Sequence, residues 1–192
     1  MTSVGLLHLR ALYAGADDPW AFRTSAYEAA KFDATAAALP RGRYASALEI
    51  GCGNGELARR LASRCESYTG LDAVPSALDA ARRAVPEGRF VEAFLPCALP
   101  TGPGGASHDL VVLSEVLYFL DRDGIAALAT QIDLFCPAAD VVVVTWLGDT
   151  GNPLGGSEAL EAFARATHRP RRIAADAPGY RIDLFAPSGG IA

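Results

Sequence analysis

Glu49-Ile50-Gly51-Cys52-Gly53-Asn54-Gly55 is the stretch on which the fold turns. It grows out of Ala47-Leu48-Glu49-Ile50, a short run that reads as a buried strand, and it leads into residues 56–63, where Leu57 and Leu61 lie one helical turn apart. A glycine turn therefore joins a strand to a helix. Glycines at such a junction let the backbone turn sharply and let a ligand approach the main chain with no Cβ in the way. The spacing is G-x-G-x-G rather than the G-x-G-x-x-G of dinucleotide binding, which weighs against a nicotinamide-dependent dehydrogenase. Alone, the turn is also compatible with a tight connection that binds nothing.

Outward from this turn the alternation of strand and helix continues, the sequence form of a mostly parallel sheet covered on both faces. Strands are predicted at 67–71, ending at Asp72, at 89–93, at 110–113, and at 141–144, a β-branched run leading into Trp146. Pro75 opens a helix carrying Leu78, Ala81 and Val85, and Pro86 stops it. Asp123 opens another, with Ile125, Leu128, Ile132 and Phe135 as one buried stripe before Pro137. Residues 96–107 and 148–157 read as loops, Ser157 as the cap of a helix over 158–167, and 171–174 with 180–185 as a hairpin around Pro178-Gly179.

The first forty residues break this rhythm. Asp17-Asp18-Pro19-Trp20 reads as a turn and 25–39 as a helix with Tyr27, Ala30, Ala34 and Ala38 along one side, while Lys31 reads as a solvated charge. The division is an N-terminal helical segment, 1–43, and a ligand-binding unit, 44–192. The first either packs on the sheet or roofs a site at the strands' carboxyl ends, where open α/β sheets bind ligands.

The chain has 192 residues, 51% of them hydrophobic, enough for one globular domain with a substantial core. Its 17 basic and 22 acidic side chains show no basic cluster, which argues against a nucleic-acid partner. The longest apolar runs fall short of the roughly 20 residues needed to cross a bilayer. Residues 4–13 are apolar but interrupted by His8 and Arg10 with no basic segment ahead of them, a poor signal peptide, so the expected location is cytoplasmic. Cys52, Cys65, Cys97 and Cys136 form no C-x-x-C pair, and His8, His108 and His168 stand apart, so no metal is predicted.

Asp72 lies 21 residues after Gly51, at the end of the second predicted strand, where a carboxylate can accept hydrogen bonds from both hydroxyls of a ribose or simply favour a helix N-terminus. With Glu49 to Gly55, Asp72 and Asp109-Leu110-Val111-Val112-Leu113-Ser114-Glu115-Val116-Leu117 in this order, the chain resembles the class I S-adenosylmethionine-dependent methyltransferases. More narrowly, Asp18-Pro19-Trp20, Ser25-x-Tyr27-Glu28-x-x-Lys31, Ser114-Glu115-Val116-Leu117-Tyr118 and Tyr180-Arg181-Ile182-Asp183 resemble the nodulation protein S (NodS) family of N-methyltransferases.

The resemblance implies a single-domain Rossmann-like α/β fold whose seven-stranded sheet is parallel except for an antiparallel last strand. It implies S-adenosylmethionine as cofactor, S-adenosylhomocysteine as product, and no metal. Glu49, Gly51, Cys52, Gly53 and Gly55 would contact the methionine part, Asp72 with Ala73 the ribose, and Ala93, Phe94 and Leu95 the adenine. Many relatives carry an Asp where this chain has Phe94, so Glu92 substitutes for it or ring contact and backbone alone hold adenine. Ser114, Glu115 and Val116 would face the sulfonium, and Trp20 and Tyr27 would lie close to the cofactor.

Methyl transfer asks the protein mainly to position and desolvate the nucleophile, and a nitrogen nucleophile must arrive neutral. Glu115 is the candidate base, or else a positioning carboxylate, with Asp149 and His168 as candidate acceptor contacts. The implied acceptor is a small molecule, an amino sugar or oligosaccharide amine. The alternatives are an O-methyltransferase and a non-catalytic cofactor-binding module.

Overall fold

Successive residues of a strand face opposite ways, and a sheet covered on both faces must bury both sets. The computed structural model describes residues 3–15 and 18–188. Within it the segment Leu110–Ser114 sends Val111 and Leu113 into one core and Leu110 and Val112 into another, all four fully buried. It is the middle strand, β4, of a seven-stranded sheet. The others are β1 (Tyr44–Ile50), β2 (Cys65–Asp72), β3 (Arg89–Glu92), β5 (Asp140–Trp146), β6 (Arg171–Ala177) and β7 (Tyr180–Phe185). The spatial order is β3-β2-β1-β4-β5-β7-β6, with β7 antiparallel to both neighbours and the remaining pairs parallel. The expected architecture is present.

Among the described residues six α-helices accompany the sheet: α1 (Leu6–Ala14), α2 (Ala26–Ala38), α3 (Ala58–Leu61), α4 (Pro75–Ala84), α5 (Arg122–Phe135) and α6 (Gly156–Ala166). One core joins Ile50, Leu113 and Val143 to Ile125 and Ile132 of α5 and Phe163 of α6. The other joins Ala47, Val112 and Val142 to Phe32 of α2, Leu61 of α3 and Leu78 of α4. Each buried aliphatic or aromatic side chain contributes about 1.5–3 kcal/mol, so these two layers fix the sheet's faces.

Several local expectations need correction. Phe135 is 62% exposed, because a three-four-three spacing walks it off the stripe while Ala129 and Cys136 take the buried positions. Ser157 does not cap α6; Gly155 does, and its amide donates to Glu158 Oε2 at 3.1 Å. The helix after the glycine turn keeps only one α-turn before tightening to a 3-10 turn at Ala62–Arg64. In α2, capped by the Ser25 hydroxyl, Tyr27 and Ala30 lie off the buried stripe. The buried stripe is Glu28, Lys31, Phe32 and Thr35. Lys31 is 1% exposed and ion-paired, not solvated.

α1 has no counterpart in the sequence reading. The segment that carries it crosses the carboxyl edge of the sheet: the Val4 amide donates to Phe119 O at 2.8 Å and Arg10 pairs with Glu92 at 3.0 Å. Asp17 of the expected turn lies outside the described residues. Asp18 begins the described part, its carboxylate accepting from the Phe22 and Arg23 amides.

Candidate functional site

The strand order reverses between β1 and β4, and there a cavity of about 480 Å³ opens at the carboxyl ends of the strands. Its floor is the turn after β1. The amides of Gly51 and Cys52 both donate to Leu71 O at 2.9 Å, curling the chain back over β2. Gly51 has φ +82°, and a Cβ there would stand 2.7 Å from Ser114 O. Gly55, at φ +84°, would set a Cβ 2.8 Å from Ala81 Cα of α4. The first glycine thus brings the turn against β4, and the last lets α4 pack beneath it.

Asp72 closes one side. Its Oδ2 accepts from the Gly53 amide at 2.9 Å and its Oδ1 from the Val74 amide at 3.0 Å. Burial pushes its carboxyl up, against the downward pull of the Gly53, Val74 and Ala73 amides. Asp72 lines the cavity, and one amide on each oxygen leaves the carboxylate further acceptor capacity. Beyond it, Ala93, Phe94 and Leu95 form an apolar strip faced by Leu9 and Leu12 of α1. Tyr13 and Phe22 cover Gly53, and Trp20 packs between their rings. Burial, with Asp72, Cys52 and Asp18 nearby, raises the Tyr13 hydroxyl far above its usual range.

At the opposite end stands Glu115, a non-glycine residue at φ +53°. Its carboxylate accepts from Lys31 and, at 3.1 Å, from the Tyr118 hydroxyl. Backbone in this region costs an ordinary residue about 1–3 kcal/mol and persists where surrounding contacts determine it. Tyr27, Trp146, Asp149 and Asn152 complete this end. Tyr27 meets Trp146 and Tyr180 edge to face, with centroids 5.9 Å apart in each pair.

The structure brings together most of the residues singled out from sequence. Gly51, Gly53, Asp72, Ala73, Ala93, Phe94, Leu95, Ser114, Glu115, Val116, Trp20 and Tyr27 all line the cavity. Glu49, Cys52 and Gly55 do not line it: Glu49 lies in β1, Cys52 and Gly55 are buried within the turn, and Glu49 and Cys52 border a small second pocket. Glu49 is fully buried, accepts from the Tyr68 hydroxyl at 2.8 Å, and is pushed up to about 7 by burial. Glu92 is occupied by Arg10, outside the cavity. Asp149 lines it, whereas His168 is exposed elsewhere, its amide donating to Asp133. The sequence assigns no site role to the α1 residues or to Glu28. The only signal for Glu28 was its place in the motif with Lys31, because a carboxylate on a buried helical face contradicts the apolar periodicity by which helix faces are read.

Residues 6–144 match the family described as nodulation protein S (NodS). Nodulation protein S of Bradyrhizobium diazoefficiens is 33% identical over 125 residues, a match that covers 63% of this chain and 59% of that protein. The chain thus spans less than two thirds of that relative's length. Among solved structures, a putative methyltransferase from Pseudomonas syringae is 30% identical, with a TM-score of 0.69 over 83% of this chain and 97% of that one. The N-methyltransferase NodS from Bradyrhizobium japonicum, solved in complex with S-adenosyl-L-homocysteine, has the same fold. Its TM-score is 0.75 at 21% identity, over 94% of this chain and 97% of that one. With the family match extending over most of the sequence, and with the sheet order and switch-point cavity in place, the chain belongs to the nodulation protein S (NodS) family.

Proposed function

We propose that this protein is an S-adenosylmethionine-dependent N-methyltransferase acting on the amine of a small molecule, an amino sugar or an oligosaccharide that carries one. The observation that carries the reading is a single cavity holding, in line, an apolar strip at Phe94, a carboxylate at Asp72, a bare-backbone turn at Gly51 and Gly53, and an acidic, aromatic end at Glu115 and Trp146. That sequence of environments fits the cofactor. The strip suits adenine, the unspent lone pairs of Asp72 suit ribose hydroxyls, and the turn offers approach without a Cβ. When bound, the cofactor supplies a methyl group on a sulfonium, and S-adenosylhomocysteine is what remains.

The chain's own residues do the rest by orientation and charge. Glu115 and Glu28 face the acceptor end, where a carboxylate attracts an ammonium and can take a proton from nitrogen before attack. Tyr27 and Trp146 offer ring faces to a sugar, with Asp149 and Asn152 as hydrogen-bonding groups. The described residues of the segment 1–43 act as the roof of this site, and those of 44–192 as its frame. Cys52, Cys65, Cys97 and Cys136 are all unpaired, which supports a reducing compartment and hence a cytoplasmic enzyme. Among the described residues no helix is long and apolar enough to cross a membrane.

The test is calorimetric titration with S-adenosylmethionine and S-adenosylhomocysteine, followed in the same preparation by a product assay on glucosamine oligomers. Binding together with a methylated amine is the expected result. No binding at millimolar ligand overturns the cofactor, and binding without product overturns this acceptor alone.

A further inference from the structure

The motif Tyr27-Glu28-x-x-Lys31 folds into a buried charged cluster that the reading above uses only in part. Lys31 is 1% exposed on α2. Its Nζ lies 3.0 Å from Glu28 Oε1 and 2.8 Å from Glu28 Oε2, and it also donates to Glu115 Oε1. Glu28 and Glu115 line the large cavity, whereas Lys31 stands behind them. One ammonium is therefore shared by two carboxylates that both reach the acceptor end. We propose that Lys31 is a positioning residue, which fixes the Glu115 carboxylate at the acceptor end of the cavity with Glu28 as the counter-anchor on its own helix.

Three features support this arrangement. Glu115 sits in left-handed backbone, its amide donates to Val144 O at 3.0 Å, and its side chain is tied by Lys31 and Tyr118 from different elements. A carboxylate so held points one way. Second, burial works against the Lys31 charge, but Glu115 and Glu28 outweigh it and leave the ammonium favoured. Burial likewise raises Glu28, against the pull of Lys31. Third, with all three groups charged the cluster carries a net negative charge, which favours a cationic amine over a neutral hydroxyl. The other ionisable groups around it are Tyr27 of α2, Tyr118 after β4, Tyr180 of β7 and Asp18 before α2, and Glu49 of β1 with Cys52 and Glu56 after it line a small pocket together with Lys31 and Glu115.

The inference rests on the proposed amine methylation for its purpose but not for its test. With glutamate carboxyl carbons labelled, the Glu28 and Glu115 resonances of the ligand-free full chain are assigned by Glu28→Gln and Glu115→Gln and titrated by NMR. Lys31→Met leaves two carboxylates facing each other without the ammonium, so one of them should hold its proton to a pH about one unit or more higher. Whichever carboxyl holds its proton in Lys31→Met, neutralising the other by Glu28→Gln or Glu115→Gln should bring that midpoint back down toward wild type, and Lys31→Arg should keep the wild-type midpoints. Unmoved midpoints in Lys31→Met, or a double variant no different from it, would overturn the proposal. If Lys31→Met does not fold, the Lys31→Arg titration decides: retained midpoints support the role, and shifts as large as those expected for a neutral residue refute it. Calorimetry with S-adenosylhomocysteine runs in parallel. Failure of the wild type to bind it sinks the cofactor reading while the carboxyl titration still decides the role of Lys31.

Discussion

The amide of Gly53 and the carboxylate of Asp72 are joined by a 2.9 Å hydrogen bond, which locks the turn after β1 to the end of β2. The same carboxylate thus shapes the turn and presents acceptors to the cavity. Asp72→Ala should weaken S-adenosylhomocysteine binding by about 10- to 100-fold, the loss expected for charge-assisted hydrogen bonds. Calorimetry gives the affinity, and unchanged affinity would remove Asp72 from the proposed ribose site.

Phe94 and Glu92 separate two ways of holding adenine. Glu92 is turned to Arg10 in an exposed pair worth at most about 1 kcal/mol, and Phe94 lines the cavity. Phe94→Ala should therefore lower S-adenosylhomocysteine affinity about tenfold, while Glu92→Ala changes it less than about threefold. The reverse order of effects would assign adenine to Glu92.

Gly55 and Gly53 make predictions of different size within one turn. Gly55→Ala drives a methyl group into Ala81 Cα at 2.8 Å and at φ +84°, so urea denaturation should register a loss of about 2–4 kcal/mol. At Gly53 the nearest atoms to an added Cβ are 3.5 Å away, in Phe22, leaving chiefly the cost of φ +50°. Gly53→Ala should lose only about 1–2 kcal/mol of stability while still impairing the ligand's approach.

Glu49 sets a pH dependence of stability. Its carboxyl rises from 4.5 to about 7 on folding because burial outweighs the Tyr68 hydrogen bond. Between those values the native protein keeps a proton that the unfolded chain releases. Stability of the ligand-free protein therefore falls as pH rises through this window, by about 3 kcal/mol in all from this group. Glu49→Gln should gain stability over wild type progressively from pH 4.5 to 7.5 and hold that gain above it. Parallel melting-temperature curves for the two proteins would show that Glu49 is ionised in the fold.

The frame was legible because its signals are local. Gly51 to Gly55 between two apolar runs, the four valines of β5 and the prolines bounding α4 each carry their meaning within a few residues. Asp72 and Ser114 to Val116 could be placed because strand ends of a parallel sheet converge on one edge. The roof was not legible. α1 earns its position through distant partners, Phe119 and Glu92, that no local pattern announces. Lys31 and Glu28 were hidden for a related reason: ion pairing with Glu115, 84 residues from Lys31, lets polar side chains occupy the buried face of α2, so hydrophobic spacing pointed to the wrong side.

β7 runs against its neighbours between β5 and β6, so the strand beside the valine-rich β5 arrives only with residues 180–185. Until that stretch is in place, Val141 to Val144 form an open apolar margin with unpaired amides and carbonyls, the kind of edge on which chains adhere to one another. The matched region, 6–144, stops short of the strand that seals it. A truncation that kept every cofactor-facing residue of the turn and of β2 to β4 but lost β7 would retain the proposed chemistry on paper while offering a template for aggregation. The last strand is thus a guard for the sheet, and the site's durability depends on residues that never touch a ligand.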